Sequence, residues 1–91
     1  SGLAIIRADI QGPAGRAVVR AAVDTGSTYT TVDSDILESV GAIPAPGAGV
    51  LRMRTANGIS FAQRVSLIRF AALGKEVLDY PVISITIQTD L

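Results

Sequence analysis

The sequence predicts an all-β domain: a small barrel-like sheet carrying one short helix. Three observations predict it. Runs of β-branched and apolar residues with period-two alternation recur along the 91 residues. Clusters of Gly, Pro and Asn punctuate them at short intervals. A single segment offers both the capping residues that open a helix and the glycine that stops one.

Taken in order, Leu3 to Ile10 is rich in Ile and Ala and runs into Gln11-Gly12-Pro13-Ala14-Gly15, a strong turn cluster. Arg16 to Val23 then alternates, with Val19, Ala21 and Val23 on one face and Arg16, Val18 and Arg20 on the other. These two runs read as a hairpin. Ser27 to Val32 is β-branched and aromatic, hence a further strand. Asp33 to Gly41 is the helix, about two turns long, with Glu38 three residues after Asp35 in capping-box spacing and Gly41 as its stop. Pro44 to Gly49 is a loop too brief to link domains.

Val50 to Thr55 and Ile59 to Ile68 flank Ala56-Asn57-Gly58, where Asn-Gly supplies the positive φ angles of a tight hairpin turn. Ile59, Phe61, Val65 and Leu67 share one period-two face, with Gln63 at the same parity, and Phe61 reads as core or hairpin packing. Leu73-Gly74-Lys75 is another turn. It leads to strands over Val77 to Tyr80 and Val82 to Ile87. Tyr29 and Tyr80 read as half-buried strand residues.

Composition excludes most other classes. Hydrophobic residues make up 48% of the chain and charged ones 18%, which excludes intrinsic disorder. So small a globule hides a limited fraction of its surface, so an apolar surplus favours an oligomer. Eight basic and eight acidic residues cancel, leaving no electrostatic footprint for nucleic acid or an anionic membrane. Arg52, Arg54, Arg64 and Arg69 suggest a basic stripe, but two Phe and two Tyr give it few stacking platforms. With no Cys and no His, thiol chemistry, disulfides, Cys/His zinc sites and His-based triads are excluded. Asp33-Ser34-Asp35 opens like a calcium loop but lacks the downstream Gly and Glu, so it reads as a helix cap and no metal is expected. No apolar stretch approaches a bilayer span. Chemistry must then rest on carboxylates, hydroxyls or backbone.

Ala21-Ala22-Val23-Asp24-Thr25-Gly26-Ser27-Thr28 is where such chemistry is encoded. An apolar strand delivers Asp24 at its end, and Gly26 lets the chain turn sharply and bring N–H groups toward the carboxylate. Thr25 and Ser27 can each donate a hydroxyl hydrogen bond. One Asp is a weak catalyst, but two brought together across a twofold axis hold a single proton between them. One then acts as base on a water while the protonated one polarises a carbonyl. A chain with one such motif needs a homodimer to assemble the pair. Asp-Thr-Gly arises by chance in roughly 2% of chains this long and also occurs as a plain Asx turn. The apolar strand before it and the hydroxyl-rich strand and helix after it favour the catalytic loop.

The stretch Ala22 to Val32 closely resembles the active-site strand of retropepsin-like aspartic proteases, including their bacterial and archaeal relatives. The likeness runs through most of the chain: a hairpin precedes the motif, a short helix follows it, and Thr55-Ala56-Asn57-Gly58 is similar to the flap hairpin. The resemblance implies a small closed barrel and a homodimeric aspartic endopeptidase with Asp24, Thr25 and Gly26 of each subunit in the active site. It implies a bound water, no metal and no organic cofactor. Thr25 would interlock across the dimer axis, and Ser27, Thr28, Ala56, Asn57 and Gly58 would line the groove for a peptide or protein substrate. Retropepsins also carry, late in the chain, two apolar residues and a Gly that brace the catalytic loop, then a helix and a terminal strand. Residues 1–91 read as a single domain of this kind that reaches Thr89-Asp90-Leu91 where that segment is expected to begin. Ala72-Leu73-Gly74 has the letters of the brace but fits a hairpin turn better. The expectation is thus a piece of a longer protein, as its lack of an initial Met also suggests. The alternative reading is a retropepsin-shaped domain that dimerises or binds peptides without cutting them. The absence of Cys is compatible with a reducing compartment such as the cytoplasm, and a removed signal or membrane anchor would leave no trace in the chain.

Overall fold

The computed structural model describes residues 3–24, 30–47, 49–55 and 58–86. Among them are six strands and one helix: β1 (Leu3–Gly12), β2 (Gly15–Asp24), β3 (Thr30–Asp33), α1 (Ser34–Ser39), β4 (Val50–Thr55), β5 (Gly58–Ala72) and β6 (Lys75–Ile85). The sheet runs β1-β2-β3-β6-β5-β4, and β1 also pairs with β5. That extra pairing, Asp9↔Ala71 through Gln11↔Arg69, closes β1, β2, β3, β6 and β5 into a five-stranded barrel. Closure removes sheet edges that would otherwise template aggregation. β4 stays outside the ring, paired to the first residues of β5.

The first hairpin follows the sequence expectation, with Gly12 opposite Gly15 across Pro13-Ala14. Val19 and Ala21 of β2 face the core, and Arg16, Val18 and Arg20 are exposed. Ile10, Leu37, Leu67, Val32, Val65 and Val82 are the largest fully buried side chains, and with Val19 and Ala21 of β2 they draw every barrel strand and α1 into one core. Burying each such side chain is worth roughly 1.5–3 kcal/mol. Asp33 caps α1, its carboxylate accepting a hydrogen bond from the Asp35 N–H (3.0 Å). With Asp33 as the cap, Glu38 is not at the third helical position, so the expected reciprocal capping box does not form. Gly41 follows the helix at φ +77°, the conformation that stops helices.

β5 departs from simple alternation. Val65 and Leu67 are buried as expected, but Phe61 at the same parity is 65% exposed. Beyond the barrel rim β5 continues only as an arm with β4, and there nothing among the described residues covers Phe61, while Ala62 on the opposite face is buried. Inward parity then switches between Leu67 and Phe70. There the β5–β6 ladder omits Ile68 opposite Asp79, and Asp79 adopts φ +52°, which does not continue a pleat. β6 is one strand rather than two. Pro81, the residue that suggests a break, sits opposite Ser66 just before the short pairing with β3, where a missing N–H is tolerated.

The β5–β6 turn has Leu73 at φ +54° and Gly74 at φ +76°, between the paired Ala72 and Lys75. Positive φ at both central residues defines a type I′ turn, which favours Asn-Gly. A left-handed conformation costs an ordinary residue roughly 1–2 kcal/mol, and Asn relieves part of that. Leu73 is 81% exposed, so little packing is at stake. Leu73→Asn is expected to stabilise the domain by about 1 kcal/mol, raising the melting temperature by roughly 4–8 °C in a thermal unfolding experiment. A lower melting temperature would show that Leu73 contributes contacts beyond this turn.

Candidate active site

β2 delivers Asp24 as its last residue, with its backbone paired to Leu3 of β1. β3 returns antiparallel beside β2 through Val23↔Thr30 and Ala22↔Thr31, so the two strands clamp both ends of the segment carrying Thr25, Gly26, Ser27 and Thr28. Those four residues, Tyr29 and the Asp24 side chain lie outside the described residues. β3 then runs parallel to β6, from Thr31↔Ile83 to Asp33↔Ile85. Adjacent parallel strands need a long crossover connection. Here everything from α1 to β5 supplies it.

The base of this loop is held by a polar contact in an apolar setting. Thr30, 3% exposed, shares a hydrogen bond between its Oγ1 and the Tyr80 hydroxyl (2.8 Å). The Tyr80 ring lies 4.7 Å from that of Phe70, tilted by 32°. Tyr80 is half-buried, as the sequence suggested, but its link to Thr30 was not foreseen. The available signal was chemical: a Tyr packed into a core brings a hydroxyl that must find a partner. Tyr80→Phe is expected to cost about 1–3 kcal/mol, because it strands the buried Thr30 hydroxyl. Denaturant unfolding checks this, and the double variant Tyr80→Phe/Thr30→Val should recover part of the loss. At the other end of β3, the Ser34 and Thr86 hydroxyls lie 3.2 Å apart and tie the start of α1 to the end of β6.

β6 also joins the loop to the outer hairpin. Ile83–Ile85 pair with β3 on one side and with Arg64 to Ala62 of β5 on the other. From that base β4 and β5 extend to Thr55↔Gly58. Gly58 is therefore the first residue of β5, and Ala56 and Asn57, between the strands, lie outside the described residues. Leu51 and Ala62 share one face of this hairpin, while Val50, Arg52, Phe61 and Gln63 share the other. On the latter face Val50 and Phe61 are exposed apolar side chains. The basic stripe that Arg52, Arg54, Arg64 and Arg69 suggest does not form among the described side chains, with that of Arg54 lying outside them. Arg52 and Arg64 fall on opposite faces by register, and Arg69 is paired with Glu76 (3.3 Å).

The Asp33 carboxylate is engaged at the helix start by the Asp35 N–H, and no group of three metal-ligating side chains occurs among the described residues. No described helix is long and apolar enough to cross a membrane. A family model described as aspartyl protease matches residues 6–90. No curated protein and no solved structure matches the chain significantly.

Proposed function

Because the chain belongs to the retropepsin-like aspartyl protease family, we propose that it is an endopeptidase acting as a homodimer through Asp24 of each subunit. The observation that carries this reading is the placement of Asp24 at the end of a barrel strand, on a loop whose two ends are clamped by β2 and β3. A carboxylate so delivered can meet its symmetry mate. At close approach the two share one proton, since both cannot readily ionise.

The reaction then needs no further group. The ionised Asp24 takes a proton from water as the water oxygen bonds to the scissile carbonyl carbon, and the protonated Asp24 donates to the carbonyl oxygen. Collapse of the tetrahedral species breaks the C–N bond, with a proton passing to the departing amine. Thr25 and Gly26 hold the carboxylates in place across the axis. Ser27 and Thr28 line the groove floor, and Ala56, Asn57 and Gly58 close over the peptide from the β4–β5 hairpin.

The test is cleavage of a mixed peptide library from acidic to neutral pH, beside Asp24→Asn, with sedimentation of both proteins at the assay concentration. Cleavage by the parent alone supports the reading. A confirmed dimer without cleavage overturns it in favour of a peptide-binding or dimerisation domain.

A further inference from the structure

The outer face of the β1–β2 hairpin and its neighbours carries charge that the fold itself does not use. Strand register sets the outward side chains in rows. Arg7 lies directly opposite Arg20, Asp9 opposite Val18, and Gln11 opposite Arg16. β5 and β6 extend the lower rows, with Ala71 and Glu76 beyond Asp9 and with Arg69 and Leu78 beyond Gln11. Arg69 and Glu76 neutralise each other, the one ion pair among the described residues. That leaves Arg7, Arg16 and Arg20, all exposed, against the single carboxylate of Asp9. Like charges directly opposite on a sheet destabilise it. Arg7 and Arg20 thus work against the hairpin that bears them.

Two adjoining depressions, of about 550 and 710 Å³, meet on this face and share Arg7 and Val18 in their walls. Ile5 and Val18, 59% and 56% exposed, flank the arginine pair, and Lys75 closes the far end. Cations and apolar side chains set two residues apart along these strands match an extended segment in which carboxylates and apolar residues alternate at every second position, since only side chains two residues apart share a face. We propose that this face docks an acidic polypeptide segment, with its carboxylates on Arg7 and Arg20 and its apolar side chains on Ile5 and Val18. The interspersed Asp9 and Glu76 disfavour an anionic lipid surface, which would face both signs at once. If the peptidase reading holds, on which this extension rests, the face selects substrates bearing an acidic stretch away from the scissile bond.

The experiment measures binding of a fluorescent peptide of repeating Glu-Ser-Leu-Ser, which sets Glu and Leu on one face when extended, and of its Lys-Ser-Leu-Ser counterpart, in the Asp24→Asn background. Cleavage then cannot consume the probe, and failure of docking is distinguishable from failure of catalysis. The acidic probe is expected to bind, more weakly as salt rises, and Arg7→Glu/Arg20→Glu to weaken it at least about tenfold. The single variant Arg20→Glu, which sets opposite charges across the pair, should lose affinity while its melting temperature stays level or rises. That opposition of binding and stability is something a structural role for Arg20 would not produce. Equal binding of both probes, or binding indifferent to the double reversal, would overturn the proposal. So would phosphatidylserine vesicles binding in place of the peptide, or a change of oligomeric state on charge reversal, which would assign the face to a membrane or to a second copy.

Discussion

Asp24→Asn is expected to lower kcat/KM for peptide cleavage by at least about 10³-fold, since general acid and general base catalysis each contribute roughly 10²–10⁴ and the variant dimer loses both. Asn has nearly the shape of Asp and can still accept hydrogen bonds, but it neither takes a proton from water nor shares one with its mate. The substitution leaves in place the backbone pairing of Asp24 with Leu3, through which this residue enters the sheet. The variant should therefore melt with the parent, and its dimer should be at least as tight, with like-charge repulsion removed. Two further readouts separate a shared pair from a lone Asp. Activity of the parent should fall on both sides of an optimum, where the pair is either doubly ionised or doubly protonated. Adding excess variant to the parent should depress activity as subunits exchange, because each hybrid dimer holds one carboxylate. An Asp that merely closes a turn would give neither result, and retained cleavage by the variant would refute the proposal outright.

What could be read from the sequence was local. The β1–β2 hairpin, the capped helix and the turn at Leu73-Gly74 each depend on residues within a few positions of one another, where turn chemistry and period-two alternation operate. The family is legible for the same reason, since Ala22 to Val32 is one contiguous stretch. What escaped was long-range. The barrel closes through Ile10 beside Phe70, and β3 meets β6 through Thr31 beside Ile83, pairings that no local pattern encodes. Phe61 was placed with Val65 and Leu67 because alternation reports which side of a strand a residue occupies, not whether anything covers that side. The parity switch at Phe70 depends on Asp79, which is distant in sequence and ordinary in type. The half-burial of Tyr80 is legible in its strand context but its hydroxyl partner is not, because a partner fifty residues away belongs to topology. The catalytic residues and the groove residues Ser27, Thr28, Ala56 and Asn57 remain readings of sequence and family.

The largest effect expected on stability lies away from that loop, at Gly12. The turn of the first hairpin rests against the end of α1, where the Ala14 N–H donates to the Val40 carbonyl (2.8 Å). A Cβ at Gly12 would run into the Val40 carbonyl oxygen and its Cγ2 atom. The obstruction is backbone, which cannot rotate aside as a flexible side chain would. Gly41 presses back on Ala14 from the helix side, so the two segments interlock through glycines at both surfaces. Gly12→Ala must therefore lift the hairpin off α1, adding overpacking of roughly 1–3 kcal/mol to a lost hydrogen bond of about 1 kcal/mol. A loss of about 3 kcal/mol is expected, lowering the melting temperature of so small a domain by roughly 12–24 °C. Gly15→Ala is the control. It closes the same turn, yet a Cβ there meets nothing within 4 Å, so it should be neutral or slightly stabilising. Equal losses at both positions would show that the turn, and not its seat on the helix, needs glycine. Unequal losses would make this contact the brace of α1 and of β3, which enters the helix directly at Asp33. Because β3 clamps the Asp24 loop through Val23↔Thr30, catalysis in Gly12→Ala should then fail at a lower temperature than in the parent.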